Sequence, residues 1–137
     1  MDATSSPRTS DAQDLLDSAR WFADLLLSAT TAELDVPAGD VEWSCWRTAE
    51  HVGDDMFAYA LQLAAQAPDD YLPLVAADGG DDVVRVAATA GPQGLATTVQ
   101  ALAALLAAQV STAPSDARAF HPHGVSDPAG FAAMGVV

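Results

Sequence analysis

Three stretches of this chain repeat apolar residues at three- and four-residue intervals, a spacing that buries one face of a helix and would scatter along a strand. Between Asp11 and Ser28 the stripe is Leu15, Leu16, Ala19, Phe22, Ala23 and Leu26, with Asp14, Asp17 and Asp24 turned away from it. Ser10 is the expected cap. Trp21 and Leu25 fall outside the stripe, so this helix either has two packed neighbours or leaves an apolar patch for a partner. The second stretch, Cys45 to Ala67, puts Ala49, Val52, Met56, Tyr59 and Leu63 on one face. Ser44 can cap it and Pro68 ends it. A second apolar band of Trp46, Phe57, Leu61 and Ala64 predicts burial on more than one side. The third stretch runs from about Gly94 to Val110 on Leu95, Val99, Leu102, Leu106 and Val110, and its alanine-rich remainder lets another helix approach closely.

A fourth helix starts at Asp127-Pro128, where a capping carboxylate precedes a residue whose missing N–H costs nothing at the first helical position. Phe131, Met134 and Val137 face the core in this reading. Only about ten residues of that helix are in the chain, short of the three turns or so that make a helix useful. Residues 30–40 and 111–126 read as loops. So do residues 69–92, with Val83-Val84-Arg85-Val86 as a possible extended segment. The predicted fold is all-α: an antiparallel four-helix bundle with long connections and a truncated fourth helix, or an irregular three-helix domain with a loose tail. Residues 1–10 read as a disordered tail and 11–137 as a single helical-bundle domain.

Five arginines, no lysine and nineteen acidic residues give a formal charge of −14, so the field repels phosphate backbones and anionic lipid. Nucleic acid and membrane surfaces are excluded as expected partners. Cys45 is the only cysteine, which rules out an intrachain disulfide, and the N-terminus lacks the basic and apolar regions of a secretory signal. A cytoplasmic protein is expected. The most apolar window, Leu95 to Val110, is interrupted by Thr97, Thr98, Gln100 and Gln109, and reads as a core helix too short to cross a bilayer.

Polar chemistry gathers on one edge of the second helix, where His51, Asp55, Ala58 and Gln62 follow each other beside the core stripe. A lone helical histidine is more often a hydrogen-bonded side chain than a metal ligand. Asp55, one turn on, can accept the other imidazole N–H and so orient the ring, or it is a solvated acid beside Asp54. His121 and His123 flank Pro122 and need not converge. Arg118 can hold a substrate carboxylate through a two-pronged hydrogen bond or form an ordinary ion pair. At the first turn of its helix, Cys45 has a thiolate favoured by the helix dipole, but Trp43 and Trp46 beside it suggest a packed turn. No glycine-rich phosphate loop follows a strand.

Two runs resemble one known family. Trp43-Ser44-Cys45-Trp46-Arg47-Thr48-Ala49-Glu50-His51-Val52 resembles the turn and second helix of the N-terminal, metal-binding domain of mycothiol-dependent maleylpyruvate isomerases, in the DinB-like superfamily. The run Arg118-Ala-Phe-His-Pro-His-Gly-Val-Ser-Asp-Pro-Ala-Gly-Phe-Ala-Ala-Met-Gly-Val-Val137 resembles the approach to that family's fourth helix. The resemblance extends over nearly the whole chain from about Asp11. It implies a DinB-like bundle holding a divalent metal, often zinc, through one histidine of helix two and a Glu and a His one turn apart on helix four. His51 matches the first ligand, and the other two fall beyond Val137.

In such a site the open coordination position favours a bound thiolate over the thiol. The implied cosubstrate is the low-molecular-weight thiol mycothiol, and its thiolate adds to a small electrophile, for isomerisation of an unsaturated acid or for thiol transfer. A different class of function also fits the residues: a non-catalytic helical module whose Trp21 and Leu25 dock on a partner or on a second copy as a homodimer.

Overall fold

A computed structural model describes residues 10–136. They form a helical bundle with long connections, and extended pairing among the described residues is confined to two isolated bridges, Pro37 with Ser44 and Ala119 with Ser126. The residues read as a disordered tail, all but Ser10, lie outside the described part of the chain, as does Val137.

The first helix, α1 (Ala12–Ser28), is capped by Asp11 rather than Ser10. The Asp11 carboxylate accepts the N–H groups of Gln13 and Asp14 while the Asp14 carboxylate accepts the N–H of Asp11, a reciprocal pairing that fixes the helix start at Asp11. The loop expected at 30–40 contains a one-turn helix, α2 (Thr31–Leu34), closed by the same device between Thr30 and Glu33. It exists to bury Leu34. Ser44 caps α3 (Cys45–Ala65) by accepting the Arg47 N–H, as expected. That helix ends at Ala65, two residues before the expected Ala67, because Gln66 turns left-handed at φ 49°.

Pro92 does not belong to the loop. It stands in the first turn of α4 (Gly91–Thr112), where proline has no N–H to lose, and a short 3₁₀ turn at Ala88–Ala90 leads into it. The apolar helical stretch is therefore longer than the sequence suggested: by length and composition, residues 88–112 could cross a membrane. In the fold this helix lies between α1 and α3, with Leu95, Ala96, Val99, Ala103, Leu106 and Ala107 buried. Gly53 of α3 is buried against Leu102, where an added Cβ would stand 3.0 Å from its Cδ1.

Asp127 caps α5 (Pro128–Val136) through the Gly130 N–H, and α5 packs on α1, α3 and α4 together. Phe131 is fully buried beside Tyr59 of α3, ring centroids 5.6 Å apart, and Met134 packs against the core. Gly135 and Val136 share a cavity with Val52 and Met56, so α5 runs opposite to α3.

Candidate functional site

Polar side chains of α3 capture the connection that follows it. Residues 83–86 belong to no helix or strand, so no neighbouring strand takes their N–H groups. Carboxylates of α3 do so instead. Asp54 Oδ1 accepts the N–H of Val83 and of Val84, each at 2.7 Å, and Glu50 Oε1 accepts that of Val86 at 2.9 Å together with the Trp46 indole at 3.1 Å. Both acids are buried and one turn apart. The segment is thereby laid along α3, and the residue before it, Asp82, is brought over the first two turns of that helix.

There Asp82 Oδ2 receives two donors, Arg47 Nη2 and His51 Nδ1, each at 2.7 Å. Burial, the largest single influence on the Asp82 carboxyl, pushes its pKa up, but the bonds from Arg47 and His51 and their charges outweigh it and hold the group below the ordinary value of 3.8. An ionised carboxylate only accepts hydrogen bonds, so Nδ1 of His51 carries a proton. In the neutral ring the lone pair then sits on Nε2. Trp43 covers the arrangement, its ring edge-on to His51 at 5.1 Å and 4.7 Å from the Arg47 guanidinium carbon.

His51 itself is about a third exposed, its side chain at 37%. Its Nε2 lies 3.6 Å from Oδ2 of Asp55, an ion-pair separation beyond hydrogen-bond reach. The sequence offered Asp55 as the acid that orients the ring, and the structure gives that contact to Asp82. Burial raises the Asp55 pKa, the nearby His51 opposes it, and the net direction is upward. The ring of His121 stands 5.9 Å from that of Tyr59 and 5.4 Å from His123, so the loop histidines pack beside α3. Arg118 is not brought to this edge. It is exposed, and its Nη1 donates to the carbonyls of Ser115 and Ala117 in its own loop.

Gln62, the last residue of the polar edge, is structural. Fully buried, it donates to the carbonyls of Asp70 and Phe120 and accepts the Leu72 N–H, tying two loops to α3. Beyond those ties, Asp55, Tyr59, Gln62 and Asp82 border a cavity of about 460 Å³ under residues 71–74 and 81–83. Tyr59 has its phenol pushed up to about 12, mainly by burial.

Asp82, Glu50 and Asp54 are the residues that sequence reasoning missed. Asp82 is 31 positions from His51 and one of two adjacent acids on a loop, and nothing local distinguishes it from its neighbour. Glu50 and Asp54 at i and i+4 did carry a signal, since two acids on the otherwise apolar side of a buried helix need donors. Among the described residues, no group of three His, Cys, Asp or Glu is arranged to hold a metal ion. The residues present therefore fit one ligating nitrogen, His51 Nε2, and not a complete set. Comparison of the chain with protein families, curated proteins and solved structures finds no match.

Proposed function

We propose that this chain is the metal-binding, DinB-like four-helix domain of a cytoplasmic thiol-using isomerase or transferase resembling the maleylpyruvate isomerases, with His51 as its first ligand. The observation that carries the reading is the 2.7 Å bond from His51 Nδ1 to Asp82. Metal-ligating histidines characteristically give their second ring N–H to a carboxylate, which fixes the tautomer and makes the free nitrogen more basic. His51 has that arrangement before any cation arrives.

The position of α5 also supports it. Gly135 and Val136 border the same cavity as Val52 and Met56, so a helix prolonged along the α5 axis would run toward the N-terminal half of α3, which carries His51. On the resemblance, the completing Glu and His belong to that prolongation, mycothiol is the thiol, and the acceptor is a small electrophile. Zinc calorimetry on the chain, and on any longer form its gene encodes, tests the reading. Binding that His51→Ala abolishes supports it, and a longer form that takes up no zinc removes it.

One observation favours a second reading, a non-catalytic module that pairs with its own copy. Trp21 is 70% and Leu25 51% exposed. Each borders an apolar cavity between α1 and α3, and Phe22 lines both cavities. Sedimentation separates the readings: a dimer that Trp21→Glu dissociates favours the module, and a monomer at all concentrations counts against it.

A further inference from the structure

After α3 the chain turns back along that helix, and residues 70–84 stand off it as an arch with two feet. Gln62 holds the first foot, donating to the Asp70 carbonyl and accepting the Leu72 N–H. Asp54 holds the second through the N–H groups of Val83 and Val84, and Asp82 adds its bonds to Arg47 and His51. Between the feet a cavity of about 460 Å³ separates the arch from the α3 surface at Ala58 and Tyr59.

The hold on this arch differs from that on the helices. Among the described residues, no backbone hydrogen bond joins residues 70–84 to the rest of the chain. Of these residues only Asp82 is buried, while Leu74 and Val75 are 50% and 78% exposed. Tyr71 adds an edge-on ring contact with Phe120 at 5.2 Å. A segment with so little buried apolar surface opens at far lower cost than a packed helix.

Internally the arch is braced. The Ala76 N–H donates to the Gly80 carbonyl and the Gly79 N–H to the Ala76 carbonyl, closing a turn at the crown. Arg85, just past the second foot, donates to the carbonyls of Asp82 and Val84 and pairs with Asp78 at 3.7 Å, so crown and foot are linked. Each foot also keeps the partners of the other close, and release of one lowers the effective concentration at which the other re-forms. Val86, bonded to Glu50 and packed on the core, remains behind as a hinge.

We infer that residues 70–84 form a strap that lifts off α3 as one unit while the helices stay folded. Lifting breaks the Gln62, Asp54 and Asp82 bonds together, opens the cavity to solvent and removes the carboxylate that orients His51. The strap is thus a latch on the imidazole: closed, it holds the proton on Nδ1, and open, it leaves the ring free to turn. The inference rests on the bonding and burial of the strap and not on the metal reading, and its test contains no metal.

Amide hydrogen exchange of the whole chain, followed by NMR at rising urea below the unfolding transition, is the test. Leu72, Val83 and Val84 are expected to share one opening constant within about threefold, at least about a hundredfold larger than that of Val99 and Leu106, which are fully buried in α4. Their exchange should respond weakly to urea, because lifting the strap exposes little surface. Variants are read at the opposite foot. Gln62→Leu should speed exchange at Val83 and Val84, and Asp54→Ala at Leu72, each by about tenfold or more, as the loss of a buried hydrogen-bond acceptor requires. Acceleration confined to the altered foot overturns the inference, because the two feet would then fray separately. Strap amides that match Val99 and Leu106 in opening constant and urea slope also overturn it, because the strap would then leave only when the whole chain unfolds. That comparison is made on the parent chain and stands even where a variant does not fold.

Discussion

Nδ1 of His51 and Oδ2 of Asp82 are 2.7 Å apart although 31 positions separate the two residues in the chain. The contact exists because Glu50 and Asp54 hold residues 83–86 against α3. It ties the orientation of one ring to the docking of a whole connection, and the stability of that connection should therefore be measurable through Asp82.

Asp82→Asn removes the charge that pairs with Arg47 and His51. The Asp82 side chain is 10% exposed, so the loss is that of a largely buried charged hydrogen bond, about 1–3 kcal/mol, read as a fall in the urea midpoint at pH 7.

The same carboxylate gives a pH dependence of known sign. Its folded pKa lies below 3.8, so it contributes stability above the ordinary value, and that stability is lost as pH falls through the depressed folded value. The difference between the parent chain and Asp82→Asn should be constant near neutrality and shrink below about pH 4 in a urea series.

Asp55 behaves in the opposite sense. Its pKa is raised, so its contribution is present below 3.8 and lost as pH rises through the folded value; at pH 7 the ionised group is a cost. Asp55→Asn should raise the thermal midpoint at pH 7. The side chain is 45% exposed, so solvent screening keeps the gain under about 1 kcal/mol. A measured loss of stability would show that attraction to His51 at 3.6 Å outweighs the cost of burial.

Gln62→Leu keeps the volume of a buried side chain and orphans the Leu72 N–H and the carbonyls of Asp70 and Phe120. A cost of about 2 kcal/mol or more is expected, with faster amide exchange at Leu72.

Gly135→Ala tests the docking of α5. An added Cβ collides with Leu15 Cδ2 and comes within 2.9 Å of Leu106 Cδ2, and both leucines are fully buried. Overpacking of about 1–3 kcal/mol outweighs the helix-propensity gain of about 1 kcal/mol, so the variant should be less stable.

Much of the architecture was legible because it is local. The stripes at Leu15 to Leu26 and Ala49 to Leu63, the Ser44 cap and the Asp127-Pro128 start each depend on residues within a turn or two. Where the reading failed, a local rule had two outcomes. Pro92 signals a break or a first turn with equal force, and Asp11 and Ser10 are both acceptable caps until Asp14 decides between them. The site was half legible for the opposite reason. His51 and Asp55 stand out on their helix, but Asp82 reaches them only through backbone captured by Glu50 and Asp54, and no residue in the loop announces that path.

The central claim is that His51 is held with its proton on Nδ1 and its lone pair on Nε2, ready for a cation. Nitrogen-15 spectra of the histidine rings, recorded as zinc is added to the chain, test this most directly. For the neutral ring the account predicts the Nδ1–H form, with the Nε2 resonance of His51 moving first and most as zinc rises. A ring in the Nε2–H form, or zinc that shifts His121 and His123 while leaving His51 unmoved, would contradict it.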